Sequence, residues 1–164
     1  MQRFISEDPI GFSSGDFNWY RYTYDSPTNL IDSQGTDAIE IAKDIWDVGP
    51  FDTYSAYKRS QEAMKKSRAS GLDGPHNGSQ DAFRHCLWSC LMASDLGVEQ
   101  AKSIGDNHEA AGNRNGQPKK ESDMDKYNNR AGRICAVNKP SFDPSSCPKK
   151  CMQALKNKKL QTGL

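Results

Sequence analysis

Apolar residues recur at helical spacing along most of the chain after residue 36. The clearest stripe lies between residues 81 and 95, at positions i, i+3, i+4, i+7 and i+8. Its members are Phe83, Cys86, Leu87, Cys90 and Leu91. This spacing places five side chains on one side of an α-helix and predicts that this side faces a core. The opposite side carries Asp81, His85, Trp88, Ser89 and Met92.

The same period predicts further helices over residues 37–46, 53–67, 98–111 and 121–137, and a short basic helix around 151–160. Gly and Pro interrupt the pattern at Gly49-Pro50, in the loop 71–78, at Gly97 and in the loop 113–120. The part of the chain after residue 36 is therefore predicted to be all α, with five or six helices. The inward residues are expected to be Tyr54, Tyr57 and Met64; Val98, Ala101, Ile104, Ala111 and His108; and Met124, Tyr127, Ala131 and Ile134.

The first 36 residues follow a different pattern. Aromatic and polar residues alternate there between Gly, Pro, Asn and Asp, which is typical of short strands joined by tight turns. The segment is too short to bury a sheet face alone and would need a larger sheet to complete it.

Two stretches of this segment, RFISEDPIG and YRYTYDSPTNLID, resemble the end of the Rhs-repeat-associated core. The resemblance implies a core remnant over 1–36 and a C-terminal toxin domain over 37–164. In that family the core forms a β-shell around a toxin tail, which is delivered into a rival cell and neutralised at home by a cognate immunity protein. The family cuts itself at a DPxGL motif, whereas this chain has Ser33 in place of Pro and Thr36 in place of Leu.

Composition adds little about the target. The chain has 22 basic and 21 acidic residues in 164, so the net charge of +1 gives no argument for nucleic acid. No apolar run is long enough for a transmembrane segment, and the first residues lack the apolar region of a signal peptide, so we expect export by other means. Residues 139–164 carry six lysines and one acid, which suits either a polyanion-binding tail or a solvated end.

The chain has five cysteines. Cys86/Cys90 and Cys147/Cys151 form two pairs with i,i+4 spacing, and Cys135 stands alone. Disulfides would join a helix to the C-terminal segment and leave one thiol over. Buried thiols and a zinc site are the alternatives, although CxxxC is looser than the usual zinc spacing.

Three helical segments concentrate reactive side chains: DAFRH at 81–85, GDNHE at 105–109 and MDKYNNRAGR at 124–133. The catalytic candidates are Asp81, Arg84, His85, His108, Glu109 and Arg133. The candidate ligands for zinc or magnesium are His85, Asp106, His108 and Asp125. The candidate substrate-binding residues are Trp88, Asn128 and Asn129.

These residues support two routes to hydrolysis. A divalent ion would lower the pKa of a bound water and make it a nucleophile near neutral pH. Without a metal, His85 would act as a general base oriented by Asp81, and Arg84 or Arg133 would stabilise a developing anion. The three segments also resemble a tail found on several secreted polymorphic toxins, which implies one shared site. His108-Glu109 begins like a zinc-protease HExxH motif, but Gly112 replaces the second histidine.

Three functions are consistent with the sequence. The first is a nuclease that hydrolyses phosphodiester bonds, because Rhs tails are commonly nucleases. The second is an envelope-directed hydrolase of phospholipid or cell wall in the periplasm, a compartment where disulfides persist. The third is a non-enzymatic membrane or binding toxin, which the lack of an apolar amphipathic segment disfavours.

Overall fold

The computed structural model describes residues 36–137 and 143–163. Within these residues the chain forms six α-helices and one short 3-10 helix. The α-helices are α1 (Thr36–Val48), α2 (Pro50–Arg68), α3 (Ser79–Leu96), α4 (Val98–Arg114), α5 (Lys119–Val137) and α6 (Cys147–Lys156). The 3-10 helix, Pro144–Ser146, leads directly into α6.

Two glycines with positive φ make the sharp turns between consecutive helices. Gly49 (φ 88°) separates α1 from α2, and Pro50 then occupies the first position of α2, where its fixed φ suits a helix start. Gly97 (φ 96°) separates α3 from α4. Because L side chains rarely adopt these angles, both turns depend on glycine.

Helix α3 lies at the centre of the fold, with α2, α4, α5 and α6 packed around it. Its apolar stripe is buried as the sequence predicts, and these five side chains form the middle of the core. The opposite side is buried as well, and it includes Asp81, His85, Ser89 and Met92. Neighbouring helices therefore cover α3 on both its apolar and its polar side.

Helix α5 approaches the backbone of α3 at Gly132. A Cβ atom at this position would lie 2.2 Å from the Cys86 carbonyl oxygen and 3.0 Å from the Cys90 amide nitrogen. Only glycine allows the two helices to come this close. The contact fixes the rotation of α5 and turns Asp125, Asn128 and Asn129 inward.

Two disulfides join α3 to α6. Cys86 pairs with Cys151 and Cys90 pairs with Cys147, with Cα–Cα distances of 5.8 and 5.9 Å. Cys135 is a free, half-buried thiol. Among disulfides, buried thiols and a zinc site, the structure thus has the disulfides, and they join α3 to the C-terminal segment.

The mainly α-helical fold is confirmed for the described residues, and the helix boundaries lie within a few residues of the expected ones. The predicted β- and turn-rich remnant at 1–36 falls almost wholly outside them. No helix in the described part of the chain has the length and apolar character that a bilayer crossing requires.

The expected inward faces of three helices were partly wrong. Tyr54 and Tyr57 of α2 and Tyr127 and Ile134 of α5 are exposed. His108 of α4 is about half exposed. The positions that face the core instead are Ala56, Ala63, Asn107, Glu109, Asp125, Asn128 and Asn129. Small and polar residues take these inward positions because the helices approach each other closely.

Candidate functional site

Three buried side chains from two helices converge between α3 and α5. Asp81 and His85 lie one turn apart near the start of α3, and Asp125 lies in the first half of α5. His85 Nε2 is 3.5 Å from Asp81 Oδ1 and 3.4 Å from Asp125 Oδ1. One polar atom from each residue lies within 4.8 Å of the other two. We refer to Asp81, His85 and Asp125 as the Asp–His–Asp cluster.

The outer oxygen of each aspartate is held by a loop residue. The backbone N–H of Asn77 donates to Asp81 Oδ2 at 2.7 Å. The side-chain amide of Gln117 donates to Asp125 Oδ2 at 2.9 Å. These bonds leave both Oδ1 atoms directed toward His85.

The second imidazole nitrogen of His85 faces a third carboxylate. His85 Nδ1 is 4.0 Å from Glu109 Oε1, and the Glu109 side chain from α4 is 1% exposed. The Asn129 amide from α5 donates to the same Glu109 oxygen at 3.3 Å. Helix α4 thus supplies an outer carboxylate on the side of His85 that faces away from the two aspartates.

Two atoms at the centre of this arrangement, His85 Nδ1 and Asp125 Oδ1, have no hydrogen-bond partner, and Asp81 Oδ1 has only its ion pair with Arg84. Arg84 is the one cation beside them in the described structure: its guanidinium contacts Asp81 Oδ1 and lies 3.2 Å from His85 Nε2. Buried polar atoms without partners are uncommon in folded proteins and suggest a missing ligand or ion.

The environment pushes the pKa values of the three carboxyl groups apart. Burial raises the pKa of Glu109 to about 7. Burial also raises the pKa of Asp125, with His85 opposing the shift and Asp81 adding to it. Burial acts in the same direction on Asp81, but His85 and Arg84 outweigh it and hold the pKa of Asp81 below its ordinary value. Carboxyl groups separated in this way are typical of acid–base sites.

A surface cleft of about 480 Å³ lies beside the cluster. Its walls include His76, His108, Glu121 and Gln117, and Gln117 also donates to Asp125. The cleft therefore reaches to within one side chain of the buried aspartate. A larger cleft of about 680 Å³ near the starts of α3 and α5 contains no member of the cluster.

Two residues of the expected metal site lie elsewhere. Asp106 is about half exposed and pairs with Lys102 at 2.5 Å. His108 Nδ1 lies 2.9 Å from Glu40 of α1. Burial lowers the pKa of His108, but the bond with Glu40 outweighs this and the net shift is upward. The structure thus does not bring Asp106 and His108 to the Asp–His–Asp cluster, because α4 turns its next residue, Glu109, inward instead.

Trp88 and Arg133 make contacts between helices. The indole N–H of Trp88 donates to the Ala56 carbonyl of α2 at 3.1 Å. Arg133 Nη1 lies 3.5 Å from Ser89 Oγ. Neither side chain contacts the Asp–His–Asp cluster, so their expected catalytic or substrate-binding roles gain no geometric support.

The neighbouring asparagines of α5 have different partners. Asn128 donates to the Gln161 carbonyl at 3.0 Å and accepts from its N–H at 2.9 Å, so it anchors the C-terminal segment. Asn129 instead holds Glu109. Asn77 and Gln117 were not among the expected site residues, because their roles depend on the path of two loops. The only sequence signal was that each loop borders a candidate helix.

Residues 44–159 match the model of a family described as a domain of unknown function (DUF6973). The matched range contains the Asp–His–Asp cluster, Glu109 and both disulfides. No solved structure matches the chain. Because the family model covers well over half of the chain, the protein belongs to the DUF6973 family.

Proposed function

We propose that this chain carries the effector domain of an Rhs polymorphic toxin and that the domain hydrolyses phosphodiester bonds. The toxin role rests on the resemblance of residues 2–36 to the end of an Rhs core. The hydrolytic role rests on one observation, the buried Asp–His–Asp cluster with Glu109 behind it. A cognate immunity protein and the Rhs shell of the parent protein are the partners that this proposal implies.

Hydrolysis suits the cluster because the site combines groups that take up and release protons with one cation. Asp81 and Asp125 border one nitrogen of His85, and Glu109 faces the other. Buried carboxylates and an imidazole can orient water and accept its proton. Arg84 can stabilise the charge that develops on a phosphoryl oxygen. The proposal holds whether the imidazole or a metal ion activates the water.

The proposed substrate is a phosphodiester, and nucleic acid is the first candidate. The two disulfides favour a second candidate, an envelope substrate such as phospholipid or cell wall. Disulfides persist in the periplasm and are rare in the bacterial cytoplasm. The compartment in which the protein is toxic therefore distinguishes the two substrates.

The test is expression of the full chain in a bacterium, with and without an export signal. Asp125→Asn is compared with Asp106→Asn, the same substitution at a half-exposed site outside the cluster. We expect the wild-type chain and Asp106→Asn to be toxic, and Asp125→Asn to lose at least about 100-fold of the activity. Viable counts, nucleic-acid integrity and released lipid head groups are the measurements.

Each outcome bears on the proposal. Toxicity in the cytoplasm with degraded DNA or RNA supports the nuclease, whereas toxicity only after export supports the envelope enzyme. Equal toxicity of Asp125→Asn and the wild-type chain, or cell death without any bond hydrolysed, would exclude the cluster as the catalytic site.

A further inference from the structure

We propose that the Asp–His–Asp cluster binds one divalent transition-metal ion through Asp81 Oδ1, His85 Nε2 and Asp125 Oδ1. This is a different ligand set from the one that the sequence indicated, since Asp106 and His108 take no part. The ion would be of the zinc type, because one imidazole and two carboxylates suit a borderline metal better than magnesium. The metal site stands independently of the reaction, but its use in hydrolysis rests on the proposed function.

Two of the three distances between these atoms match the spacing of ligands around a metal ion. His85 Nε2 is 3.5 and 3.4 Å from the two Oδ1 atoms. Ligands bound tetrahedrally to zinc at about 2.0–2.1 Å are separated by about 3.3–3.4 Å. All three atoms lie within 4.8 Å of one another, so small side-chain movements are enough to bind an ion. Asp125 Oδ1 is also buried without a hydrogen bond, and the partner of Asp81 Oδ1 is the Arg84 guanidinium, so both oxygens suit a cation.

The outer atom of each ligand faces a partner that orients it. Asn77 and Gln117 donate to the outer oxygens of the two aspartates. Glu109 faces His85 Nδ1 at 4.0 Å, and Asn129 donates to Glu109. A histidine that ligates a metal usually donates its other N–H to a carboxylate, which fixes the ring and strengthens the ligand.

Arg84 occupies the region that the ion would take. Its guanidinium contacts Asp81 Oδ1 and lies 3.2 Å from His85 Nε2, two of the three ligand atoms. The side chain is 29% exposed, so it can turn into solvent without unfolding α3. Arg84 therefore competes with the metal, and binding of the ion displaces its guanidinium from the cluster. Three protein ligands then leave a position open for water, as in catalytic zinc sites.

The experiment is calorimetric titration of Zn²⁺ into the full chain after removal of metal with a chelator, under oxidising conditions. A Cys135→Ser background removes the free thiol as a competing zinc ligand. The visible absorption spectrum of the Co²⁺-loaded protein reports the coordination. The variants are Asp125→Asn, the matched control Asp106→Asn, and Arg84→Met. Near- and far-UV circular dichroism shows whether each variant is folded.

We expect one ion per chain for the background protein and for Asp106→Asn. Asp125→Asn should bind at least about 100-fold more weakly, since it loses a ligand. Arg84→Met should bind more tightly, because the competing cation is gone. If Asp125→Asn does not fold, His85→Gln takes its place. Absence of stoichiometric binding, equal affinity of Asp125→Asn and Asp106→Asn, or unchanged affinity in Arg84→Met would overturn the proposal.

The two proposals can fail separately. Stoichiometric zinc binding without hydrolysis of any phosphodiester would remove the proposed reaction and leave the metal site. Hydrolysis that persists in chelator, by protein that binds no zinc, would remove the metal site and leave His85 as the general base.

Discussion

Both faces of α3 are largely buried, but they differ in what they contribute. One face carries Phe83, Cys86, Leu87, Cys90 and Leu91, which form the core and the disulfides. The other face carries Asp81 and His85, the two members of the Asp–His–Asp cluster that belong to α3. Burying an aliphatic or aromatic side chain contributes about 1.5–3 kcal/mol to stability. Burying a polar group without a partner costs about 1–3 kcal/mol. One face therefore stabilises the fold, while the other lowers its stability and supplies chemistry.

The largest expected effect lies on the disulfide face. Reduction of both bonds should remove about 6 kcal/mol of stability, since each closes a loop of 57 or more residues when it is the only one present. Removing one bond by the double substitution Cys90→Ala/Cys147→Ala should cost only about 2 kcal/mol, because the remaining bond still closes nearly the same loop. Denaturant unfolding with and without reductant measures both values. Equal costs for one and for two bonds would contradict this account of the face.

The second effect tests the close contact between Gly132 of α5 and the backbone of α3. Gly132→Ala places a methyl group 2.2 Å from the Cys86 carbonyl, so α5 must move and stability should fall by about 1–3 kcal/mol. Gly105→Ala is the control, because the nearest atom to its new Cβ would be 3.7 Å away. It should be neutral or stabilising by up to about 1 kcal/mol. Thermal melting compares the two variants.

The third effect concerns Asp125 of α5, which packs against the polar face of α3. Burial raises the pKa of Asp125, so the charged side chain costs stability at neutral pH. Without added metal, Asp125→Asn should gain about 1 kcal/mol in stability, while Asp106→Asn should change it by less than about 0.5 kcal/mol. Urea unfolding at pH 8 in the presence of a chelator provides the values. A loss of stability in Asp125→Asn would mean that the cluster is structural and that the two faces do not differ as described.

The last effect asks whether the cost of buried charge is confined to the Asp–His–Asp cluster. Burial raises the pKa of Asp44 in α1 to about 6, with Asn107 and His108 opposing the shift and Glu40 and Asp47 adding to it. The folded state then holds this proton more tightly than the unfolded state, so the contribution is present below about pH 4 and is lost as the pH rises through 6. Asp44→Asn should flatten the stability profile between pH 4 and 6 and gain about 1 kcal/mol at pH 7. An unchanged profile would mean that burial does not raise the pKa of Asp44.

The sequence predicted the helices well because two strong local signals agree. The apolar stripe of α3 repeats at the helical period, and Gly or Pro stands at the breaks. Those signals depend on neighbours within a few residues. They were sufficient for the helix boundaries. The expectation that Asp81, His85, Glu109 and Asp125 share a site came instead from the reactive residues concentrated in three helical segments and from the resemblance of those segments to a toxin tail.

The sequence did not predict the rotation of α4 and α5 about their axes. Tyr127 and Ile134 give α5 an apparent apolar face, yet Gly132 decides the orientation because only glycine fits against the α3 backbone. Asp125 and Asn129 share the side of Gly132 and are carried inward with it. Packing between residues that are far apart in the sequence therefore determines which carboxylates lie next to His85. The spacing of apolar residues along one helix carries no information about this packing.

The disulfides also determine how the molecule would respond to a protease. Both bonds connect residues before α4 to residues after α5, so the mostly exposed loop at 115–118 between these helices lies inside the covalent ring. One cut in that loop would leave the two fragments attached to each other. The nicked protein should migrate as two bands only after reduction, and the fragments that carry Glu109 and Asp125 should stay together until a reducing compartment separates them.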